Sequence, residues 1–319
     1  MINNRTKING FILSSVSLGF NTFACLISCT VFLIIIYHLC YNHVERKDKI
    51  TIVLCGHIYL TILINAIMLI SMNIRSMLGD LYNQSFDSSW CIFSGYFAIV
   101  VLSKLYLNFL NQAFYRLIRI VYPQDRRFQS VKLCIMLPFI ELIIITCILL
   151  CVLLPLNGVT YLPNDHFCYP TLTNIPSILS VAVIVYIGPF CCISFIYMYI
   201  TRFIRQQGNI QTLVIKQRQS RDLLITRRIL IIVNLLLMLG IPGMTFIFMF
   251  IITGEENPLL ARIALLRVSV SQMGLSVALL FCIPQLKNIV LNLRTTGTMT
   301  PVNRAVQGAL QMKVIAGTQ

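Results

Sequence analysis

The chain has 319 residues, of which 57% are hydrophobic and only 11% are charged. Soluble globular domains carry about 25% charged residues, so this composition excludes a water-soluble protein and indicates that lipid surrounds most of the chain. The formal net charge of +15 would suit nucleic-acid binding, but its meaning depends on where the basic residues lie.

Seven apolar stretches are long enough to cross a bilayer, which takes roughly 20 helical residues. They occupy about 14–40, 50–73, 91–115, 133–156, 174–201, 223–253 and 258–283. Backbone polar groups have no water partner in hydrocarbon, and the chain lacks the alternating segments of about ten residues that a barrel would show. The pattern therefore predicts an all-α membrane protein, a seven-transmembrane helix bundle forming one domain over 14–284 after an N-terminal segment at 1–13.

Lysine and arginine gather in alternate connections between these spans. Three lie at 41–49, five at 116–132, seven at 202–228 and four after position 284, which is 19 of the 25. Because cytoplasmic loops carry the basic excess, we expect an extracellular N-terminus and a cytoplasmic C-terminus. The charge then serves orientation and contact with anionic lipid of the bilayer, and nucleic-acid binding is not expected.

Two N-glycosylation sequons, beginning at Asn4 and Asn83, fall on the side predicted to be extracellular. Such triplets are frequent by chance, so their agreement with the charge distribution gives the topology modest support. The first dozen residues lack a basic region followed by a short apolar core and a small-residue cleavage site. We therefore expect no signal peptide and a first helix that serves as the anchor.

Two of the 12 cysteines, Cys91 and Cys168, are predicted to lie on the extracellular side. Cys91 opens the third span and Cys168 lies in the loop at 157–173. This side of the membrane is oxidising, so a disulfide between them would tether that loop over the mouth of the bundle. The alternative is a pair of free thiols.

Several positions resemble the third helix and second inner loop of rhodopsin-like (class A) G protein-coupled receptors: Trp90-Cys91, Arg116 and Ile120-Val121-Tyr122-Pro123. The family's Asp-Arg-Tyr stands here as Tyr115-Arg116-Leu117. Pro189 and Tyr197 match its fifth-helix proline and inner tyrosine, and Pro242 matches the kink proline of its sixth helix. The resemblance covers about 14–294.

After the seventh span, Ile283-Pro284-Gln285-Leu286-Lys287 resembles the family's junction to a short amphipathic eighth helix. The resemblance places this helix at 285–294, before a flexible cytoplasmic tail at 295–319. Two departures concern the family's sodium site: no aspartate lies near Thr61, and Leu275-Ser276-Val277-Ala278-Leu279 replaces Asn-Pro-x-x-Tyr. Sodium modulation is therefore not expected.

The resemblance implies a plasma-membrane receptor that transmits an extracellular peptide or small-molecule signal to a heterotrimeric G protein. The positions that it assigns to coupling and switching are Tyr115, Arg116, Leu117, Tyr197, Asp222 and Pro242. Asp222 would pair with Arg116 at rest, and agonist would swing the sixth helix outward about Pro242, where proline removes a backbone donor. The alternative is that Asp222 is a solvated loop charge balanced by Arg221.

Ionisable side chains inside a membrane are costly and suggest function by default. We interpret His57, Lys104, Asn108 and Glu141 as a structural polar cluster in which Lys104 pairs with Glu141. The alternative is an unpaired Lys104 that faces a pocket and attracts an acidic ligand, a preference that Arg267 would strengthen.

The ligand class is narrowed by two positions. Ala98 stands where monoamine receptors place an aspartate, and no lysine lies between 257 and 284 to hold retinal. An amine ligand and light sensing are therefore not expected. From depth and helix face, the candidate pocket walls are Ala98, Leu102, Phe246 and Ser269.

Other functional classes find less support. The sequence has no glycine-rich phosphate loop, no metal-ligand spacing and no plausible catalytic set outside the bilayer, so we expect no enzyme, cofactor or metal site. A transporter or channel is the main rival, because charged residues in spans also mark solute paths. A receptor-like partner subunit that does not couple is the third possibility.

Overall fold

The computed structural model describes residues 4–41, 46–122, 130–171, 173–207, 252 and 259–282. Within these ranges, six helices are long and apolar enough to cross a membrane, and the chain is a multi-pass membrane protein. They correspond to six of the seven predicted spans. The predicted sixth span at 223–253, apart from position 252, lies outside the described residues, as do the helix predicted at 285–294 and the tail at 295–319.

The described elements follow one another as a helical bundle with a single small hairpin. The first four helices are α1 (Asn4–Tyr41), α2 (Arg46–Tyr82), α3 (Ser89–Val121) and α4 (Val131–Leu153). Then come strands β1 (Thr160–Leu162) and β2 (Phe167–Tyr169), helix α5 (Ile175–Val181), a π-helical segment (Ala182–Ile187), α6 (Gly188–Gln207) and α7 (Leu260–Cys282).

Two helices extend well beyond the apolar stretches that predicted them. Helix α1 begins at Asn4, so most of the segment predicted at 1–13 is helical, and α2 continues nine residues past its predicted end at 73 to Tyr82. Hydropathy detects only the part of a helix that lies in hydrocarbon, and polar residues can continue it into water or into a protein contact. The extension of α2 brings its last turns to the hairpin.

The loop predicted at 157–173 contains an antiparallel hairpin, which corrects the all-α prediction for six residues. Tyr161 pairs with Cys168, and the turn places His166 at a φ of 60°. Aromatic and β-branched residues dominate both strands and favour extended backbone. We call the side of the bundle that carries this hairpin the hairpin end, and the opposite side, which carries Arg116, the arginine end.

A π-helical segment interrupts the helix between α5 and α6 just before Pro189. The Gly188 N–H bonds to the Val183 carbonyl, five residues back, instead of four. Proline has no N–H for the carbonyl four residues earlier, and its ring crowds the preceding turn. The wider turn accommodates both effects, and it turns Tyr186 toward the interior of the bundle, against Tyr106 at a ring-centroid distance of 5.2 Å.

Apolar contacts join the helices at both ends. Near the arginine end, buried Tyr59, Phe109 and Leu279 belong to a cluster shared by α1, α2, α3, α6 and α7. Beneath the hairpin, Phe167 packs in a second cluster with residues of α2, α3 and α7. Helix α4, by contrast, exposes large side chains such as Ile143, which is 65% exposed. Such a face is stable only against lipid or another apolar surface.

Candidate functional site

The hairpin is attached covalently to the start of α3. Cys91 and Cys168 form the predicted disulfide, and both are buried. Ser88 caps α3 by accepting a hydrogen bond from the Cys91 N–H at 3.2 Å, which fixes where the helix begins. A Cβ atom on Gly95 would lie 2.7 Å from the Cys168 carbonyl oxygen, so only glycine allows β2 to approach α3 this closely.

An ion network attaches the hairpin to two further helices. Arg262 of α7 binds both carboxylate oxygens of Asp80 on α2, with Nη2 to Oδ1 at 2.9 Å, and donates from Nε to Asp165 of the hairpin turn at 2.9 Å. It also donates to the Asn164 carbonyl at 2.9 Å. The three ionic side chains are only 4–6% exposed. This Asp80–Arg262–Asp165 network was not predicted from the sequence.

His166 lies beside this network without adding a cation to it. Its Nε2 is 3.9 Å from Asp80 Oδ1, and its ring packs so closely on α2 that a Cβ atom on Gly79 would collide with it. Burial is the main cause that lowers the pKa of His166, against the opposing effect of Asp80. The imidazole is therefore neutral at neutral pH, and both carboxylates pair with the charge of Arg262.

The polar cluster predicted in the membrane is assembled between α2, α3 and α4. Lys104 donates to Glu141 Oε2 at 2.6 Å, and Asn111 donates to the same oxygen at 2.8 Å. The side chains of Lys104 and Glu141 are 9% and 19% exposed. The alternative of an unpaired Lys104 is therefore wrong, because the carboxylate of α4 compensates its charge within the described residues.

The other half of that cluster bridges α2 and α3. Asn108 donates to Thr61 Oγ1 at 2.8 Å and to the His57 carbonyl at 3.3 Å. The His57 ring instead packs edge-on against Phe139 at 6.0 Å between centroids. Thr61 thus accepts from the Asn108 amide nitrogen at the level where the class A family commonly has an aspartate, while Asn108 Oδ1 is buried without a partner among the described residues.

The predicted switch residues surround the arginine end of α3. Tyr115 is 8% exposed and packs against α2 and α4, while Leu117 packs against the cluster shared with α6. The charge of Arg116, which is half-buried, acts on Tyr197 of α6, whose buried hydroxyl has no hydrogen-bond partner among the described residues. The predicted partner Asp222 and the predicted hinge Pro242 lie outside the described residues.

The predicted pocket walls do not all line one surface. Ala98 is buried beneath the hairpin with Phe167, and Leu102 packs toward α4. Placing Ser269 in the wall is wrong, because its hydroxyl is fully buried against α1 and bonds to Ser17 at 2.7 Å and Asn21 at 2.8 Å. Phe246 lies outside the described residues.

No family model matches this chain, and no curated protein matches it. The resemblance to class A receptors therefore depends on the sequence positions alone.

Proposed function

We propose that this chain is a class A-like receptor in the plasma membrane that responds to an extracellular ligand by activating a heterotrimeric G protein. The observation that supports this proposal best is the construction of α3. One end is joined by a disulfide to the hairpin, and the other carries Arg116 beside Tyr197. The 25 residues from Cys91 to Arg116 span about 37 Å of helix, enough to connect the two faces of a bilayer.

The arginine end has the chemistry that a two-state switch needs. A guanidinium stays charged, so a half-buried Arg116 needs an acidic or polar partner, or water, in each state of the receptor. The buried Tyr197 hydroxyl has no hydrogen-bond partner among the described residues, so it can serve as a donor to the transducer. In the proposed mechanism, agonist moves the predicted sixth span outward about Pro242 and releases Arg116 from Asp222. Arg116 and Tyr197 then contact the transducer.

Replacing Arg116 with alanine is expected to reduce basal G-protein activation to the level of cells without the receptor, because the guanidinium that is proposed to contact the transducer is removed. Asp222→Ala should raise the basal signal. Both are measured with G-protein dissociation biosensors at matched surface expression. Arg119→Ala is the matched control, since it removes an equal charge from the same last turns of α3. It should retain the basal signal.

Two outcomes would contradict this prediction. If Arg116→Ala and Arg119→Ala reduced the signal equally, the effect would be one of general charge and not of the proposed switch. If the wild type, all variants and untransfected cells gave the same signal, the transporter or partner-subunit interpretation would gain support. Solute-flux assays on the same cells would then test the transporter.

The proposed orientation predicts that Asn83 carries an N-linked glycan. Asn83 directly follows α2 and is exposed, and its side-chain oxygen accepts a hydrogen bond from Lys7 at 2.7 Å. Asn83→Gln should remove one step of the mobility shift that N-glycosidase produces on a gel. Ser85→Thr is the control, because threonine preserves the sequon. A variant without the Asn4 sequon retains only the sequon at Asn83. If N-glycosidase produced no mobility shift of this variant at normal surface levels, the result would count against the proposed topology.

A further inference from the structure

Arg267 of α7 places an unsatisfied guanidinium nitrogen inside the bundle. Its Nη1 is buried and has no hydrogen-bond partner within the described ranges. Two cations with buried side chains are compensated within the same ranges, Lys104 by Glu141 and Arg262 by two aspartates. A buried guanidinium N–H without an acceptor is costly, so a protein that keeps one usually gains something from it.

The charge of this guanidinium acts on three tyrosines. They come from three separate elements: Tyr106 from α3, Tyr169 from β2 and Tyr186 from the π-helical segment. None of their hydroxyls makes a hydrogen bond in the part of the chain that the structure describes. Burial raises the pKa of Tyr169 although Arg267 opposes this, so its hydroxyl stays protonated and can donate.

The surroundings of these four polar groups are apolar. Tyr106 and Tyr186 pack at the edge of the cluster that joins α3, α4 and the hairpin. Tyr169 packs beneath the hairpin, against Phe167 at 6.4 Å between ring centroids, with Val268 of α7 in the same cluster. Arg267 therefore brings a single positive charge, together with phenol donors, to the place where two apolar clusters meet.

We propose that Arg267, Tyr106, Tyr169 and Tyr186 bind the carboxylate of an organic monoanion that has an apolar body. This inference rests on the proposed receptor function and names its ligand class. The planar guanidinium matches a carboxylate in two parallel hydrogen bonds, and the phenols donate to the remaining lone pairs. A monoanion fits better than a phosphate dianion because Arg267 is the one cation whose charge acts on these three tyrosines among the described residues.

Ligand binding is tested on the whole chain in nanodiscs by the shift in thermal unfolding temperature, Tm. The probes are decanoate and 4-phenylbutyrate, each compared with its neutral amide. Both acids should raise the Tm of the wild type, whereas Arg267→Gln should weaken the binding of the acids about tenfold or more. Arg75→Gln is the matched control, since it removes an equal charge at the hairpin end, where Arg75 bonds to Ser94. It should bind as the wild type does.

The ligand-free protein supplies a second and independent test. Arg267→Met keeps the size of the side chain and removes the unsatisfied charge, so it should raise the Tm by a few degrees without any ligand. Tyr186→Phe should leave the ligand-free Tm nearly unchanged and weaken binding of the acids. A lower Tm for Arg267→Met would mean that Arg267 is structural and would overturn the proposal.

Three results with the probes would also overturn it: no Tm shift of the wild type with either acid, equal shifts with the neutral amides, or equal binding by Arg267→Gln.

These Tm measurements do not depend on a G protein, so they test the carboxylate site separately from the receptor proposal. Acid binding without G-protein activation would leave the carboxylate site in place and contradict the receptor proposal. Basal G-protein activation that depends on Arg116, without binding of either acid, would support the receptor proposal and contradict the carboxylate site.

Discussion

Replacing Arg262 with glutamine is expected to lower the free energy of unfolding by about 3–5 kcal/mol, the range for removing one partner of a buried ion pair. Asp80 and Asp165 would then lie close together with side chains only 6% exposed and without the cation that compensates them. Glutamine can donate to one oxygen but cannot bridge two carboxylates. The Asn164 carbonyl would lose a donor as well.

The unfolding free energy is measured by denaturant titration in mixed micelles, with the disulfide intact. Arg75→Gln provides the comparison, because Arg75 makes one long hydrogen bond to a neutral hydroxyl at 3.4 Å and should cost little. The double variant Arg262→Gln with Asp80→Asn should be more stable than Arg262→Gln alone, since one uncompensated charge is removed. Similar costs for Arg262→Gln and Arg75→Gln would show that the network contributes no more than a surface contact.

The Asp80–Arg262–Asp165 network matters to the proposed function because it completes the attachment of the hairpin. The disulfide holds β2 to α3, and Arg262 holds the hairpin turn to α2 and α7. Helix α1 also takes part, since a Cβ atom on Gly10 would collide with the Arg262 side chain. The hairpin is thus fixed to several helices, so a ligand beneath it meets a largely pre-formed surface, which limits the entropy lost on binding.

The sequence predicted the spans well because a membrane helix is selected by a strong and simple requirement, roughly 20 apolar residues. It did not predict the ion network, for a geometric reason. Asp80 lies seven residues beyond the predicted end of the second span, and the extra helix carries it about 10 Å farther, to the hairpin. Arg262 is 97 positions from Asp165 and 182 from Asp80, so no local spacing indicates the contact.

The other outcomes of the sequence predictions depend on which face of a helix each residue occupies. Lys104 and Glu141 were paired correctly because their depths agree and an intramembrane cation needs a partner. Ser269 was assigned to the wrong face of α7. A serine in a membrane helix can form a hydrogen bond with a neighbouring helix as readily as it can line a pocket, and here its hydroxyl bonds to Ser17 and Asn21 of α1. Arg267 was expected only to reinforce Lys104, and sequence alone could not show which of these two cations lacked a carboxylate.

Replacing Glu141 with leucine is expected to destabilise the bundle by about 3–5 kcal/mol, because Lys104 would remain in the interior without its carboxylate partner. Its ammonium lies 2.6 Å from Glu141 and its side chain is 9% exposed, and Asn111 would lose its acceptor at the same time. The double variant Lys104→Met with Glu141→Leu should recover most of the loss, since apolar side chains of similar size replace a buried ion pair at little cost.

Unfolding in mixed micelles measures both variants, and Thr146→Val is the control on α4, because Thr146 is exposed and bonds only to its own helix. Recovery in the double variant, with unchanged binding of decanoate and unchanged basal signalling, would establish that the pair has a purely structural role. A double variant that is stable yet loses either response would show that the charges themselves are used. The membrane interior would then contain two functional cations, and the transporter interpretation would have to be tested again.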